Sequence, residues 1–220
     1  MLKIANEMQG LLFDADGTLI DTYDIILTSM RYAINDVLGL SQTDAELMAG
    51  VGTPLLDQML HFTEGDEGRA AEIVQIYRDH NDGVHDAHIK AFPDTKEALE
   101  RFRAAGLSMG VVTSKRHAMA VRGLEMSGIA DFFQFVIGHD DWPEHKPAPG
   151  PVLHGCDLLE LAPQQCMYIG DSPFDIQAGN AAGCTTVAAL WGMFSKDELE
   201  AQRPAVECAS LTALADYLGV

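Results

Sequence analysis

The sequence predicts an α/β fold in which a doubly wound parallel sheet carries an inserted helical segment. Outside residues 20–90, short apolar runs alternate with amphipathic helical patterns, which is typical of parallel strands covered by helices on both faces. Between residues 22 and 90 the periodic patterns are all helical, and no strand pattern interrupts them. A chain of 220 residues is long enough for such a core and insert.

Five strands are predicted from the short apolar runs. They occupy residues 10–13, 107–112, 135–137, 166–169 and 185–189. The intervening helices have stop signals at Gly106, Gly128 and Gly183, because glycine readily adopts the left-handed conformation that ends a helix. A capping box from Ser195 to Glu198 predicts one further helix start after the last strand.

Four helices are predicted in the inserted segment. The first has an apolar face that ends at Gly39, and the second, over residues 44–49, stops at Gly50. The third is expected to begin with Thr53 as N-cap and Pro54 at the first helical position. The fourth carries its apolar side chains between residues 70 and 77. Together they predict a small bundle that leaves the sheet just after its first strand.

The charge balance excludes two classes of partner. Lys and Arg number 14 against 33 Asp and Glu, which gives a formal net charge of −19. Such a chain repels nucleic acid and anionic membrane surfaces, since binding to phosphate backbones needs clustered cations. Because 47% of the residues are hydrophobic, the chain is also unlike a disordered acidic tail. We therefore expect neither a nucleic-acid nor a membrane partner.

Two further features predict a cytoplasmic protein. Residues 1–7 show no export signal, and no later segment approaches the ~20 apolar residues needed to span a bilayer. The four cysteines lie in the last third of the chain without a CxxC pair, so we expect reduced thiols that pack as small hydrophobic side chains.

Carboxylates follow the first predicted strand directly. Asp14 and Asp16 are one residue apart, and two ionised carboxylates this close need a shared cation or proton, for which we predict Mg²⁺. Gly17 permits a tight turn, after which the backbone amides around Thr18 can face an anion. Taken alone, the pattern is also compatible with an ordinary Asp-rich turn.

Polar residues also follow three later strands. Thr113, Ser114 and Lys115 end the second strand, where a hydroxyl and a helix start can bind phosphate or merely cap the helix. Lys146 stands among prolines after the third strand, and a rigidly held ammonium there could neutralise nearby carboxylates and phosphate. Asp171 and Asp175 follow the fourth strand, spaced to meet on one turn of a helix. Since ligands bind at the carboxyl ends of parallel strands, these groups are expected at one site.

These four motifs, in this order, resemble the haloacid dehalogenase-like superfamily of phosphohydrolases. Residues 51–55 and the stretch from Val112 to Leu124 are also similar to phosphoglycolate phosphatases and related pyrophosphatases. The resemblance implies a Rossmann-like catalytic core of residues 1–19 and 91–220, with a helical cap domain of residues 20–90. It covers nearly the whole chain.

The resemblance also implies a role for each motif residue. Asp14 is expected to be the nucleophile and Asp16 the general acid and base, with Thr113 and Lys146 as further catalytic residues. Mg²⁺ is expected on Asp14, Asp171 and the Asp16 carbonyl, supported by Asp175. Substrate contacts are expected from Gly17, Thr18, Ser114 and Lys115.

Two positions depart from the family pattern. Ala15 stands where leucine is common, and Ser114 stands where asparagine is frequent. Neither change removes a reacting group. We expect Ala15 to point into the core, and Ser114 to alter a hydrogen bond to the cap or the substrate.

Several functions remain open at this point. The leading expectation is hydrolysis of a small, phosphoglycolate-like phosphomonoester, with inorganic pyrophosphatase or sugar phosphomutase as alternatives. Dehalogenation is disfavoured, because the resembling dehalogenases lack the second acid that Asp16 provides. A protein that binds a small phosphorylated metabolite without catalysis is a more distant alternative. The sequence leaves the physiological substrate open, and the protein could be a monomer or a homodimer.

Overall fold

A computed structural model describes residues 8–220, so residues 1–7, which begin the predicted core and carry the expectation about export, lie outside the described residues. It contains a six-stranded parallel sheet in the order β3-β2-β1-β4-β5-β6. The strands are β1 (Gly10–Phe13), β2 (Ser108–Val112), β3 (Val136–Ile137), β4 (Cys166–Gly170), β5 (Thr185–Ala189) and β6 (Val206–Cys208). The predicted α/β fold is confirmed. The sixth strand is unpredicted, because three residues around the exposed Glu207 give too short an apolar signal.

The described helices cover both faces of the sheet and fill the insert. They are α1 (Tyr23–Met30), α2 (Asp44–Met48), α3 (Leu55–Phe62), α4 (Glu67–His88), α5 (Thr95–Ala104), α6 (His117–Met126), α7 (Gly150–Leu158), α8 (Pro173–Ala182), α9 (Lys196–Glu200) and α10 (Leu211–Leu218). Short 3₁₀ turns lie at Ala130–Phe132 and Pro163–Gln165. None of the helices in this part of the chain is long and apolar enough to cross a membrane.

The sheet changes direction at its centre. β1 pairs with β2 on one side and with β4 on the other, so the connections run to opposite sides from this point. Because all six strands are parallel, their carboxyl ends lie at one edge of the sheet. Asp14, Thr113 and Asp171 therefore emerge next to one another.

Residues 20–90, hereafter the helical insert, contain α1 to α4 and a separate apolar cluster that includes Met30, Ile34, Met59 and Ile73. The two chain segments that join it to the sheet run side by side. Asp21 N donates to the Lys90 carbonyl at 2.9 Å, and an isolated antiparallel bridge pairs Ile20 with Ala91. The insert is thus attached through one narrow two-stranded connection.

Three details of the insert differ from the prediction. Its first helix continues from α1 into a π-helix at Arg31–Val37, in which the i→i+5 bonds widen the turns. Pro54, one residue later than expected, is the N-cap of α3, so the assignment of Thr53 as N-cap is wrong; the Thr53 hydroxyl donates to the Gly50 carbonyl instead. α4 reaches 22 residues and passes through Gly83 without ending.

Helix ends and cysteines in the core follow the prediction. Gly106, Gly128 and Gly183 all have positive φ angles, and the Ser195–Glu198 capping box is present. The four cysteines are buried and free of disulfides. Ala15 is also fully buried, within the main apolar cluster.

Candidate active site

A cavity of ≈ 150 Å³ lies between the carboxyl edge of the sheet and the helical insert. Sheet-edge residues that line it include Asp14, Asp16, Thr113, Ser114, Lys115 and Asp171, and insert residues include Ile26, Val51, Leu55, Tyr77, Arg78 and Asn81. Most of the motif residues expected at one site are therefore brought together here. Lys146 is not part of this lining, but its Nζ atom lies 3.0 Å from Oδ1 of Asp14, which is.

Three carboxylates form a buried cluster at the base of this cavity. Oxygen atoms of Asp14, Asp171 and Asp175 lie within 4.8 Å of one another. The Lys146 ammonium lies 3.0 Å from Asp14 Oδ1 and 2.6 Å from Asp175 Oδ1, and its side chain is 2% exposed. The cluster contains three carboxylates and one ammonium, which pairs with Asp14 and Asp175, so two negative charges remain uncompensated when all three carboxylates are ionised.

Asp175 supports the lysine and does not face the cavity freely. Its Oδ1 accepts hydrogen bonds from Lys146 and from the Tyr168 hydroxyl at 3.2 Å. Its Oδ2 accepts from the amide and the hydroxyl of Ser172 at 3.0 and 2.6 Å. With both oxygens occupied, Asp175 is placed to orient Lys146, and its expected role in supporting a metal site stays a prediction.

Asp171 is held from two sides. The Thr18 hydroxyl donates to Asp171 Oδ1 at 3.0 Å, and the Met193 amide donates to Oδ2 at 2.8 Å. Met193 lies in the loop after β5, where no sequence motif marked a site residue. Gly17 has a φ of +78°, and a Cβ atom there would lie 2.1 Å from Asp171 Oδ2. Only glycine leaves room for this carboxylate.

Burial sets the proton affinity of this cluster. It raises the pKa of Asp14 to about 6, although the charge of Lys146 opposes the increase. Burial, with Asp175 and Asp14 nearby, also raises the pKa of Asp171 well above its usual value. Burial alone would lower the pKa of Lys146, but Asp14 and Asp175 outweigh it and raise that pKa. The lysine is therefore charged.

The cluster fits a divalent cation on its own chemistry. Asp14 Oδ1 is buried and lacks a hydrogen-bond donor, because Lys146 lies close to it without the alignment of a hydrogen bond. The candidate ligands are all oxygen atoms, which hard cations such as Mg²⁺ prefer. Two uncompensated carboxylate charges match the charge of such an ion.

Asp16 also lines the cavity and pairs with Lys115. Lys115 Nζ donates to the two Asp16 oxygens at 2.9 and 3.1 Å. The two side chains are 17% and 15% exposed for Asp16 and Lys115, so the pair borders the cavity without being sealed from water. The expected ligation of a metal by the Asp16 carbonyl stays a prediction.

The loop after β2 faces both the cavity and the insert. Thr113 Oγ1 accepts a hydrogen bond from the Lys115 amide at 3.3 Å, which leaves its own O–H proton available for a ligand. The Ser114 hydroxyl donates to the Gly52 carbonyl of the insert at 2.6 Å. This bond joins the sheet edge to the insert, and no other partner of the hydroxyl occurs in the described part of the chain.

Two expected substrate contacts are engaged within the protein. The Gly17 amide donates to the Ile20 carbonyl at 2.8 Å, and the Thr18 hydroxyl is taken by Asp171. The Thr18 carbonyl accepts from Trp191 Nε1 at 2.9 Å. These bonds shape the loop that follows β1, and direct substrate binding by Gly17 and Thr18 stays a prediction.

The insert supplies site residues that sequence reasoning missed. Tyr77, Arg78 and Asn81 lie on α4 and line the cavity. Burial raises the pKa of Tyr77, and the charge of Asp16 raises it further. In the sequence these side chains fit a helix surface equally well, and only the placement of α4 over the sheet edge shows which of them face the cavity.

Known proteins share this architecture. The family model described as haloacid dehalogenase-like hydrolase matches residues 11–189. The pyrophosphatase PpaX of Oceanobacillus iheyensis is 33% identical over 197 residues, which cover 90% of each chain. Among solved structures, a haloacid dehalogenase-like family hydrolase from Streptococcus pneumoniae has a TM-score of 0.83 at 25% identity, over 96% of this chain and 99% of that one. A structure from Haemophilus somnus, described as a predicted phosphoglycolate phosphatase, has a TM-score of 0.81 at 25% identity, over 97% of each chain.

The family match covers β1 to β5 and every motif residue from Asp14 to Asp175. The sheet order and the edge on which those residues meet agree with it. The chain belongs to the haloacid dehalogenase-like hydrolase family.

Proposed function

We propose that the protein is a Mg²⁺-dependent phosphatase that hydrolyses a small phosphomonoester through an aspartyl-phosphate on Asp14. The observation that carries this proposal is the buried cluster of Asp14, Asp171 and Asp175, in which a single ammonium, that of Lys146, pairs with Asp14 and Asp175. Such a cluster would bind a divalent cation. A cation bound there would in turn attract the oxygens of a phosphoryl group. Family membership supports the same reaction class.

Asp14 and Asp171 would hold the ion through their carboxylates, and Asp16 would join them through its carbonyl. When bound, Mg²⁺ supplies positive charge against the phosphoryl oxygens and so reduces their repulsion of an attacking carboxylate. Lys146 contributes the same kind of charge 3.0 Å from Asp14. Asp175 keeps Lys146 in place.

In the first step an Asp14 carboxylate oxygen attacks phosphorus, and the bond from phosphorus to the leaving oxygen breaks. Asp16, in its protonated form, gives its proton to that oxygen. The Thr113 hydroxyl is free to donate to a phosphoryl oxygen, and the Ser114 amide has no partner among the described residues. In the second step Asp16 takes a proton from water, which attacks phosphorus and releases Asp14 and phosphate.

Lys115 links this chemistry to substrate entry. Its ammonium holds both Asp16 oxygens, so Asp16 cannot approach a leaving group until Lys115 moves. An incoming phosphoryl group is an alternative partner for the ammonium. We propose that Lys115 transfers from Asp16 to the substrate, which agrees with the substrate contact expected for it.

Residues 20–90 are proposed as a cap domain over a core of residues 1–19 and 91–220. The narrow connection at Ile20 and Ala91 and the separate apolar cluster of the insert support this division. A cap that closes over the cavity would exclude water and macromolecules. Small phosphorylated metabolites are therefore the proposed substrates.

Pyrophosphate hydrolysis is the second candidate. The relative from Oceanobacillus iheyensis is named a pyrophosphatase and matches this chain over 90% of its length. The residues proposed above would serve equally, with a phosphate as leaving group in place of an alkoxide. The relatives described above give the sugar phosphomutase alternative no comparable support.

The test is phosphate release from small phosphate esters and pyrophosphate, with Mg²⁺ or with EDTA. We expect release that needs the metal and that falls roughly 10³-fold or more in Asp14→Asn, since this variant loses the nucleophile. Asp157→Asn, a change at an exposed aspartate on α7, is the matched control and should retain activity. Native turnover by Asp14→Asn would overturn the mechanism.

A further inference from the structure

The charges that line the cavity leave one cation without a partner. Lys115 pairs with Asp16, and Arg116 Nη2 lies 3.9 Å from Asp82 Oδ2. Arg78 lines the same cavity but makes no hydrogen bond or ion pair within residues 8–220. It is the exception in an otherwise paired set of cavity cations.

Arg78 does not form an ion pair with the nearby carboxylate on its own helix. Asp82 lies one turn farther along α4, at the spacing that commonly forms an ion pair, yet the contact of Asp82 is with Arg116. Arg78 is partly buried. Burial and then the charge of Arg116 lower its pKa, and the charges of Asp82 and Asp140 partly oppose this decrease. Because Arg78 makes no direct ion pair or hydrogen bond among the described residues, its guanidinium is available to an anionic ligand.

The position of α4 relates Arg78 to the proposed phosphoryl site. Tyr77, the adjacent residue, lines the cavity together with Asp16, and burial and the charge of Asp16 raise its pKa, so this turn of α4 lies near Asp16. Asp16 is the residue proposed to face the leaving group. The metal-binding carboxylates lie on the sheet side, at the base of the cavity. A substrate phosphorylated at the base would extend its leaving group toward α4.

Several residues of the cavity lining are aliphatic. Ile26, Val51 and Leu55 supply no charge or hydrogen bond to a leaving group that passes them. The cavity of ≈ 150 Å³ is smaller than the ~300–1,000 Å³ typical of pockets for larger ligands. A leaving group of a few atoms therefore meets Arg78 as its principal unpaired charge.

We propose that Arg78 is a specificity-determining residue that binds an anionic group on the leaving portion of the substrate. Preferred substrates would then carry two anionic ends, a phosphoryl group at the carboxylate cluster and a carboxylate or second phosphoryl group at Arg78. This inference rests on the proposed phosphatase function and adds a substrate class to it. A guanidinium suits both anions, since it can donate two parallel hydrogen bonds to either.

The experiment compares substrates that differ in the charge of the leaving group. Values of kcat/KM are measured for phosphoglycolate, pyrophosphate and ethyl phosphate at saturating Mg²⁺, with wild type and Arg78→Gln. We expect wild type to prefer an anionic leaving group, and the ratio of its kcat/KM to that of ethyl phosphate to fall about 10- to 100-fold in Arg78→Gln, mainly through KM. The anionic substrate with the larger loss identifies the group that Arg78 binds.

Two variants control for the substitution itself. Arg69→Gln changes a partly exposed arginine on the same helix, paired with Glu72 and outside the cavity lining, and should keep the wild-type ratio. Arg78→Lys keeps the charge but loses the fork of donors, so partial recovery of the ratio is expected. An unchanged ratio in Arg78→Gln, with all substrates still hydrolysed, would overturn the role of Arg78 and leave the phosphatase proposal intact.

Measurements of ligand affinity test the role of Arg78 without catalysis. Calorimetric affinities for phosphoglycolate and ethyl phosphate are compared in Asp14→Asn and in Asp14→Asn with Arg78→Gln. Selective loss of phosphoglycolate affinity supports the proposal, and equal affinities in the two variants would overturn it. Absence of phosphate release from every compound with wild type would instead contradict the proposed phosphatase function.

Discussion

Gly17 links the backbone after β1 to the carboxylate that follows β4. Its φ of +78° and the 2.1 Å that would separate a Cβ atom from Asp171 Oδ2 are two distinct constraints. The first makes most side chains costly, and the second makes any side chain displace Asp171. A glycine-to-alanine change at another position, where only the first constraint applies, can separate the two effects.

We expect Gly17→Ala to weaken metal binding far more than it weakens the fold. Displacing Asp171 from Thr18 and Met193 should raise the Mg²⁺ concentration needed for half-maximal activity by about 10- to 100-fold. Gly106→Ala is the matched control, because Gly106 has a φ of +79° with nothing within 4 Å of a Cβ atom. Both variants should lose about 1 kcal/mol of stability from backbone strain. Equal Mg²⁺ dependence in the two variants would contradict the steric argument.

Single residues also mark the limit of prediction from sequence. Asp14, Thr113, Lys146 and Asp171 were expected together because each follows a strand of a parallel sheet, and parallel strands end at one edge. Arg78 had no such marker, since a helix-surface arginine is usually solvated. Its environment depends on how α4 is placed over the sheet, which local patterns do not encode.

At the scale of elements, the insert contacts the sheet edge through a bond between a loop and a side chain. The Ser114 hydroxyl reaches the Gly52 carbonyl, and a Cβ atom on Gly52, which has a φ of +103°, would lie 2.8 Å from Ser172 Oγ. The loop of residues 50–54 is thus packed closely against the turns after β2 and β4. Ser114 was expected to form a hydrogen bond with either the cap or the substrate. In the structure its hydroxyl bonds to the insert, which is the proposed cap.

We expect Ser114→Ala to loosen this contact. Loss of one hydrogen bond, worth about 1 kcal/mol, should raise KM roughly 2- to 10-fold and speed amide exchange in residues 50–54. Ser114→Thr retains a hydroxyl and should restore much of both values. If neither KM nor exchange changes in Ser114→Ala, the bond does not hold the insert against the sheet edge.

The sequence predicted the types of most elements but not all of their limits. Strands β1 to β5 coincide with predicted apolar runs, whereas in β6 the exposed Glu207 interrupts the apolar pattern, and the strand is ordered by pairing with β5. The change from α1 to a π-helix has no simple local signal either, because the same apolar face suits both. Tertiary pairing and packing decided these points.

At the scale of the whole molecule, the net charge of −19 and the buried carboxylates act in the same direction on stability. General repulsion among surface charges grows as the pH rises, and it is screened by salt. The buried cluster is shielded from salt, so its contribution persists at high ionic strength. Measurements in about 0.5 M KCl, where the Debye length is only a few ångströms, therefore isolate the cluster.

The metal-free protein is expected to lose stability as the pH rises from 5 to 7.5. Asp14 has a folded-state pKa of about 6 against 3.8 for the ordinary carboxyl, and the pKa of Asp171 is raised in the same direction. Between those values the folded state binds more protons than the unfolded state, so this stabilisation is complete below pH 3.8 and is lost as the pH passes 6. For Asp14 the loss is about 3 kcal/mol at most.

Thermal unfolding in EDTA and in Mg²⁺ measures this effect. With EDTA, loss of the Asp14 contribution, about 1.4 kcal/mol between pH 5 and 7.5, should lower the Tm of wild type by roughly 3–6 °C, since 1 kcal/mol corresponds to about 2–4 °C at this chain length. Mg²⁺ binds only the ionised carboxylates, so it should reduce or reverse the fall. Asp14→Asn, which has no proton to lose at this position, should have a flatter profile in EDTA. Parallel profiles for the two proteins would show that the buried carboxylate does not control the pH dependence.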